Sequence, residues 1–280
     1  MSGEPSENID RATVAGFGEE WSAYDQSDLS EQEQQELFDR YFAIFPFDLL
    51  PPKAEGFDLG CGSGRWAALV APRVGLLHCI DPAEAALEVA RRRLGGSPNV
   101  RFHCASADAI PLADGSQDFG YSLGVLHHIP DTRRALADCV AKLKRGAPLL
   151  VYLYYALDGR PAWFRALWRG SDLVRGGIAR LPFAARKLVT TGIAAGVYWP
   201  LAWLARTAEK GGKDVRGWPL SAYRSLSFYT MRTDALDRFG TRLEQRFSRA
   251  EIAAMMEAAG LSDIRFSESE PCWVACGIKA

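Results

Sequence analysis

Apolar residues in the first half of the chain follow two rhythms that alternate with each other. Short apolar runs, each bounded by glycine, proline or polar residues, predict strands. The five runs span residues 56–60, 75–80, 99–106, 118–124 and 147–155. Between several of them, apolar residues recur at helical spacing, over residues 65–71, 82–94 and 131–143. This alternation predicts an α/β fold with a doubly wound, mainly parallel sheet and right-handed crossovers.

The two ends of the chain add elements to this pattern. Residues 1–30 are a polar lead-in with one aromatic island, FGEEWSAYDQ, and residues 31–45 have helical spacing. Near the other end, residues 247–260 predict a helix, because Ser248 and Glu251 form a capping box and Gly260 stops it. Two final runs, 262–270 and 272–280, predict an antiparallel pair of strands, which brings the sheet to seven strands.

The rhythm breaks at residue 156, directly after the fifth predicted strand. The following residues are rich in tryptophan and arginine and have helical spacing without a strand pattern. We therefore predict a helical cap inserted after strand 5. The predicted organisation is an N-terminal arm and helix (1–55), a ligand-binding core (56–155), a basic and aromatic cap (156–232) and the C-terminal part of the core (233–280).

Charge is distributed unevenly between the cap and the rest of the chain. The 280 residues have a net charge of −1, which argues against a nucleic-acid-binding protein. Residues 156–216, however, contain eleven Lys and Arg against four Asp and Glu. This local excess suggests an anionic group on a substrate or an anionic surface as the partner of the cap.

One uncharged segment, Leu188 to Ala205, just reaches the length of a membrane-spanning helix. Its threonines, its glycines and Pro200 dilute the apolar character, so we favour a buried helical cap. Contact with a membrane surface is the less favoured alternative. The polar N-terminus has no secretory pattern and the six cysteines are scattered, which predicts a cytoplasmic protein with reduced thiols.

The most informative short stretch is FDLGCGSGRW, Phe57 to Trp66, a glycine loop directly after the first predicted strand. A triphosphate-binding loop requires GxxxxGK[ST], and no lysine is present. A dinucleotide loop requires GxGxxG, and Arg65 stands where the third glycine would be. The carboxylate of Asp58 would repel a pyrophosphate and attract a cation. The loop therefore predicts a nucleoside with positive charge, which S-adenosylmethionine satisfies.

DLGCGSG and three later segments in the same order resemble the motifs of class I S-adenosylmethionine-dependent methyltransferases. The nearest resemblance is to the type 11 and ubiquinone–menaquinone methyltransferases. It covers residues 56–155 well and the last thirty loosely, and it does not cover the cap. It implies a Rossmann-like methyltransferase fold, S-adenosylmethionine as cofactor, S-adenosylhomocysteine as product, and methylation of an oxygen or nitrogen of a small-molecule acceptor. The basic and aromatic composition of the cap, in turn, suggests an acceptor with an anionic or hydrophobic group.

The resemblance also assigns cofactor contacts by motif. In the glycine loop they are Asp58, Gly60, Cys61, Gly62 and Gly64. After the second strand, Asp81 with Pro82 would bind the two ribose hydroxyls, since a carboxylate accepts two hydrogen bonds from a diol. In the third segment Asp108 would accept from the adenine amino group while the Ala109 backbone donates to the ring, and in the fourth Leu123 and Gly124 would pass beneath the methionine part.

Aromatic residues of the N-terminal island could cover this cofactor. Trp21 and Tyr24 would stabilise the sulfonium through cation–π contact. They would then act as a lid.

The candidate catalytic residues are His127 and His128. Two adjacent histidines rarely direct both rings to one ion and no third ligand is evident, so we predict no metal site. A hydroxyl or protonated amine must lose a proton around methyl transfer, and an imidazole can take it. His128 is favoured, because related enzymes carry a histidine facing the cofactor there.

Candidate acceptor contacts are Tyr154 and Tyr155 after the fifth strand and Tyr229 and Arg232 where the chain returns to the sheet. Two other functions stay open at this point. One is a quinone- or lipid-directed methyltransferase at a membrane face, and the other is a cofactor-binding regulatory protein without turnover. An oxidoreductase is the weakest rival.

Overall fold

The computed structural model describes residues 7–156, 161–268 and 274–280, and it contains a seven-stranded sheet. The strands are β1 (Glu55–Leu59), β2 (Leu76–Asp81), β3 (Val100–Cys104), β4 (Phe119–Leu123), β5 (Pro148–Tyr152), β6 (Leu261–Phe266) and β7 (Val274–Lys279). Their order in the sheet is β3-β2-β1-β4-β5-β7-β6. The first five are parallel, and β7 is antiparallel to both β5 and β6. The predicted fold class is confirmed. Residues 269 and 270 of the first predicted C-terminal strand, and residues 272 and 273 of the second, lie outside the described residues.

The described helices follow the strands as the alternating pattern predicts. They are α1 (Arg11–Ala23), α2 (Glu31–Tyr41), α3 (Ala67–Val70), α4 (Glu84–Leu94), α5 (Thr132–Lys142), α6 (Ala162–Ile178), α7 (Phe183–Ile193), α8 (Trp199–Lys210), α9 (Phe228–Gly240) and α10 (Arg249–Ala258). A π-helical stretch, Ala194–Tyr198, joins α7 to α8 without a break. The capping box of α10 is confirmed: Ser248 and Glu251 bond reciprocally, and Gly260 follows with φ +94°.

Apolar side chains of the central strands form the core that holds this sheet together. Every residue of β4 is buried, and in β1 only Glu55 is not. Phe57, Leu149 and Val151 pack with α5 and α10 residues such as Leu136 and Met256 in one continuous cluster. Parallel strands covered by helices on both faces require such continuous apolar runs, which is why the runs rather than an alternation marked these strands in the sequence.

Two predicted helix boundaries are corrected. The helix predicted over 82–94 begins at Glu84, with Ala83 as its N-cap residue. Asp81, two residues earlier, accepts hydrogen bonds from the backbone N–H groups of Gly62 and Ala83. The helix predicted over 31–45 ends at Tyr41, and the chain then turns so that Phe45 is buried.

The chain divides into two compact units. The sheet unit comprises Met1–Ser22, Phe38–Asp158 and Leu243–Ala280, and the helical unit comprises Ala23–Leu37 and Gly159–Arg242. The helical unit is thus larger than the predicted cap of 156–232. The predicted boundary after residue 232 falls inside α9, whose Met231, Ala235 and Phe239 belong to one apolar cluster.

The helical unit has a small core of its own. Ile178 of α6 and Tyr198 and Ala202 of the α7–α8 helix pack against α9. Glu33 ties the α2 segment to the start of α9, since its Oε1 accepts hydrogen bonds from the Ser227 N–H and from the Thr230 hydroxyl at 2.7 Å.

The expectation that residues 188–205 are buried is wrong. The segment is helical, but 28% of its most apolar 18-residue window is buried, and Leu188, Trp199 and Trp203 are exposed. Composition predicted the helix and could not predict which of its faces would be covered.

Candidate cofactor and active site

The glycine loop leaves β1 at Leu59 and turns sharply towards α3. Gly60, Gly62 and Gly64 have φ values of +76°, +52° and +73°, which lie in the left-handed region that favours glycine. A Cβ atom at Gly60 would lie 2.3 Å from the Val125 side chain, and one at Gly62 would lie 2.9 Å from the Trp21 indole nitrogen. The loop is therefore restricted to glycine at these positions both by its conformation and by its close neighbours.

The end of β2 holds the loop in place. The N–H groups of Gly60 and Cys61 donate to the Ile80 carbonyl at 2.7 and 3.2 Å. The Gly62 N–H donates to Oδ2 of Asp81 at 2.9 Å, and the Ala83 N–H donates to Oδ1 at 2.8 Å. Each oxygen of Asp81 keeps a further lone pair, so the carboxylate can organise the loop and still accept bonds from a ligand diol.

The two acids of this region are buried. Burial raises the pKa of Asp58 to about 8 and that of Asp81 to about 6. Oδ2 of Asp58 is buried and makes no hydrogen bond of ordinary geometry among the described residues, and the Tyr121 hydroxyl is the polar neighbour of this carboxyl group. Removing a carboxylate from water is costly unless a cation or hydrogen bonds compensate for it. A ligand with an ammonium or sulfonium group and a ribose diol fits this pair of acids, and a pyrophosphate does not.

Helix α1 lies over the loop and brings Trp21 to it. The Phe17 ring packs edge-on against His128 with ring centres 5.0 Å apart, and Gly18 faces Ala83 and Ala85. The N-terminal arm is therefore an ordered part of the sheet unit. Phe17 begins the aromatic island, but sequence analysis gave roles only to Trp21 and Tyr24, because the sequence gives no signal of which residue Phe17 contacts.

The adenine-side residue Asp108 is bound by the N-terminal arm. Its Oδ2 accepts a hydrogen bond from the Asn8 N–H at 2.7 Å, and its Oδ1 accepts from the Ser106 hydroxyl. The Asn8 side chain also bonds both backbone groups of Asp131 at 2.8 and 2.9 Å. Ala109 is exposed beside it. Asn8 is a second residue that sequence analysis missed, and its adjacency to Asp108 leaves the adenine contact a prediction.

The two histidines after β4 differ in what they can do. His127 is completely buried, and burial lowers its pKa well below the ordinary value for histidine. Nδ1 of His128 lies 2.6 Å from the Leu243 carbonyl oxygen. Because a carbonyl only accepts, Nδ1 carries the hydrogen and Nε2 is the basic nitrogen of the neutral ring. The geometry thus gives His128 the tautomer of a base.

Aromatic side chains surround the histidine pair at the carboxyl end of β5. Tyr154 stacks on His127 with ring centres 3.9 Å apart, and the Arg246 guanidinium lies 5.0 Å from the Tyr154 ring centre. Tyr152, which sequence analysis missed, contacts Tyr154. Tyr155 forms an isolated bridge with Phe247.

The remaining predicted positions of the sheet unit lie along the same edge. Leu123 is the last residue of β4, Gly124 follows with φ +81°, and Pro82 is half-buried after β2. All three follow the carboxyl ends of parallel strands, where ligands bind in open α/β sheets.

Three predicted site residues form a separate cluster within the helical unit. Tyr24 contacts Tyr229 with ring centres 6.0 Å apart, and the Tyr229 hydroxyl accepts a hydrogen bond from the Gln26 N–H at 2.9 Å. Arg232 lies over both rings, and Lys187 lies 4.9 Å from the centre of the Tyr24 ring. The cofactor role of Tyr24 and the acceptor roles of Tyr229 and Arg232 stay predictions.

Comparison with known proteins agrees with this site. Residues 57–151 match a family described as a methyltransferase domain. The malonyl-[acyl-carrier protein] O-methyltransferase of Methylococcus capsulatus is 28% identical over 168 residues, which cover 59% of each chain. Phosphoethanolamine N-methyltransferase 2 of Caenorhabditis elegans is 32% identical over 100 residues, 35% of this chain and 23% of that protein. The chain therefore spans less than two thirds of either relative.

The solved structures include the same fold. The YcgJ protein of Bacillus subtilis superposes with a TM-score of 0.50 at 16% identity, over 85% of this chain and 70% of that one. The predicted resemblance is confirmed at the level of the domain and the fold: residues 57–151 match a methyltransferase-domain family, and the sheet has the fold of the solved structure.

Proposed function

We propose that this chain, which carries a class I methyltransferase domain, binds S-adenosylmethionine at the glycine loop and methylates an oxygen or nitrogen of a small-molecule acceptor. One observation carries the proposal: two buried carboxylates, Asp58 and Asp81, flank a loop with three left-handed glycines at the carboxyl ends of parallel strands. The bound cofactor would supply the methyl group as part of a sulfonium cation. The protein would supply charge complementarity, position and a proton acceptor.

The residues of the sheet unit would divide this work. Asp58 would face positive charge, and Asp81 would hold the ribose hydroxyls while it fixes the loop through Gly62. Trp21, packed at Gly62, would exclude water from the loop. His128 would take the proton of the acceptor hydroxyl or ammonium at Nε2, with the ring held by the Leu243 carbonyl at Nδ1.

The acceptor is proposed to carry an apolar or aromatic part. Support comes from a row of rings that begins at His128, since Tyr154 contacts His128, Tyr152 contacts Tyr154 and Tyr41 contacts Tyr152. The relatives named above act on an acyl-carrier-bound malonyl group and on phosphoethanolamine, so the shared domain does not select the acceptor. An anionic group on the acceptor is proposed from the basic composition of residues 156–216. The cytoplasm is the proposed location, on the grounds of sequence alone.

Transfer of labelled methyl from S-adenosylmethionine tests this proposal. Hydroxyl and amine acceptors would be compared, each with and without an anionic or apolar group. We expect His128→Asn to lower kcat by roughly 100-fold with a hydroxyl acceptor, the usual contribution of a general base, and to leave the Kd for S-adenosylhomocysteine unchanged. His103→Asn, which alters a histidine of β3, is the matched control and should retain activity.

Two results would contradict the assignment. A fully active His128→Asn protein would remove this residue as the base. Failure of the unmodified chain to bind S-adenosylhomocysteine would refute the proposed donor itself.

A further inference from the structure

Large exposed apolar side chains are concentrated in the helical unit. We define the exposed apolar surface as the exposed large apolar residues of α6, α7, the π-helical stretch and α8. They are Trp163, Leu167, Leu173, Val174, Leu188, Val189, Val197, Trp199, Trp203 and Leu204. Among the described residues of the sheet unit, Leu49 is the one comparable side chain. Single exposed apolar residues are ordinary, whereas a contiguous set marks an interaction surface.

The helix formed by α7, the π-helical stretch and α8 has an apolar outer face. Its buried positions are Arg186, Thr190, Ala194, Tyr198, Ala202 and Ala205. Between residues 184 and 204, every exposed position holds an apolar side chain or glycine. At 1.5 Å per residue this apolar face is about 30 Å long. A surface helix of a protein in water usually carries polar and charged side chains on its exposed face.

Helix α6 also exposes apolar side chains. Trp163, Leu167 and Val174 are exposed on one strip of the helix, and Ile178 at the end of that strip is buried against α9. Arg165 and Arg169 are exposed on the other side of the helix. An apolar strip with tryptophan and an opposite basic face is the pattern of helices that lie in a membrane interface.

Basic residues also follow the apolar face of α8. Arg206 and Lys210 are exposed in its last turns, and Lys213 comes after it. Long basic side chains at this position reach headgroups while the helix stays at the apolar boundary. Over residues 156–216 the basic excess is seven charges, whereas the remainder of the chain is acidic.

We propose that the exposed apolar surface docks the protein onto a membrane rich in anionic lipid, with α7 and α8 lying in the plane of the interface. A second copy of the chain fits less well, because a two-fold interface would bring two equally basic surfaces together. A spanning arrangement does not fit, because one side of the same helix is committed to the protein core through Tyr198 and Ala202. This inference is independent of the proposed methyl transfer.

Flotation of the full chain with vesicles tests the surface. Vesicles of phosphatidylcholine alone would be compared with vesicles that also contain phosphatidylglycerol. We expect binding to the anionic vesicles and a blue shift of the tryptophan emission on binding. The combined variant Leu188→Gln/Trp199→Gln/Trp203→Gln should bind at least about tenfold more weakly, since it removes the largest apolar anchors. Leu49→Gln, an equally exposed position of the sheet unit, should bind normally.

A second variant separates charge from apolar contact and does not alter the apolar face. Arg206→Gln/Lys210→Gln should reduce binding to the anionic vesicles by roughly tenfold and make the remaining binding less dependent on salt, because fewer charges contact the lipid. Arg92→Gln/Arg145→Gln, which removes two exposed charges of the sheet unit, is the matched control. Circular dichroism and binding of S-adenosylhomocysteine, measured in the same samples, should be unchanged in all variants.

Three outcomes would overturn the docking surface. The unmodified chain could fail to bind either vesicle, or the variants could bind as well as it does. A dimer, detected by light scattering and dissolved by the combined variant, would assign the surface to a second copy. Binding of S-adenosylhomocysteine is measured separately from binding to vesicles, so the loss of one can be distinguished from the loss of the other.

Discussion

In the sheet unit, Asp58 and Asp81 are buried among apolar strands, and the proposed cationic ligand would compensate for the burial of these two acids. In the helical unit the exception is reversed, since Leu188 and Trp203 are exposed while Arg186 is buried on the other side of the same helix. Apolar side chains are common on protein surfaces, so the informative cases are buried charges and extended apolar faces. Each unit is therefore characterised by the residues that depart from the usual pattern of burial. These are the buried acids in the sheet unit and the exposed apolar side chains in the helical unit.

The largest expected difference between the units concerns stability. Phe57→Ala removes a completely buried ring from the core of the sheet and should lower the free energy of unfolding by about 3–5 kcal/mol. Leu188→Gln alters a side chain that is 74% exposed and should change it by no more than about 0.5 kcal/mol. Urea unfolding measures both. Similar losses of unfolding free energy in the two variants would show that the Leu188 side chain is buried, and would contradict the difference described between the two units.

The next effect concerns the buried acid at the end of β2. Asp81→Ala removes the acceptor of the Gly62 and Ala83 N–H groups as well as the proposed ribose contact. Affinity for S-adenosylhomocysteine should fall by at least about 1.5 kcal/mol, since the bonds are charge-assisted. Calorimetry would compare it with Glu88→Ala, an exposed acid of α4. Equal affinity in the two variants would remove Asp81 from the site.

Binding of the cofactor should also depend on pH through Asp58. Its pKa is raised to about 8 without a ligand, and a cationic ligand favours the ionised form. Affinity should therefore rise by roughly tenfold per pH unit from about pH 7 towards 8 and level off above that value. Binding below pH 8 should release a proton, detected as a dependence of the calorimetric heat on the buffer. Asp58→Asn should abolish the release, and an unchanged release would assign it to another group.

The raised pKa of Asp58 has the opposite effect on folding: the stability of the ligand-free protein falls as the pH rises. A carboxyl whose pKa is raised in the folded state stabilises the protein at low pH and loses that contribution as the pH rises through the raised value. The ligand-free protein should therefore become less stable towards pH 8 through Asp58, and bound cofactor should compensate for this loss.

The smallest expected effect concerns the contact of Trp21 with the loop. Gly62→Ala and Gly115→Ala both place a side chain at positive φ, which costs on the order of 1 kcal/mol each. A Cβ at Gly115 meets nothing within 4 Å, whereas one at Gly62 meets Trp21. Gly62→Ala alone should weaken binding of S-adenosylhomocysteine. Equal binding by the two variants would show that the indole does not cover the site.

The sequence predicted the sheet because its evidence is local. Continuous apolar runs marked β1 to β5 within a few residues, and the capping box marked α10. The glycine loop was located as well, because its glycines directly follow β1; the ligand that Asp58, the glycines and Arg65 select stays a prediction. These features depend on residues near one another in the chain.

Features that depend on distant residues were missed. Asn8 meets Asp108 and Phe17 meets His128 only after the chain has folded, and nothing in the polar N-terminus marks those partners. The exposure of residues 188–205 was also mispredicted, because an apolar composition is common to a core helix and to an interfacial one. Which face of that helix is covered depends on the packing of α9.

The central claim is that the glycine loop and its two acids bind a cationic nucleoside rather than a phosphate ligand. Calorimetric titration of the full chain with S-adenosylmethionine, NAD and ATP at about pH 8 tests it most directly, because Asp58 is then substantially ionised. The account predicts binding of S-adenosylmethionine at one site per chain and binding of NAD and ATP at least about 100-fold weaker, since both bring phosphates towards buried carboxylates. Equal or tighter binding of NAD or ATP would contradict it.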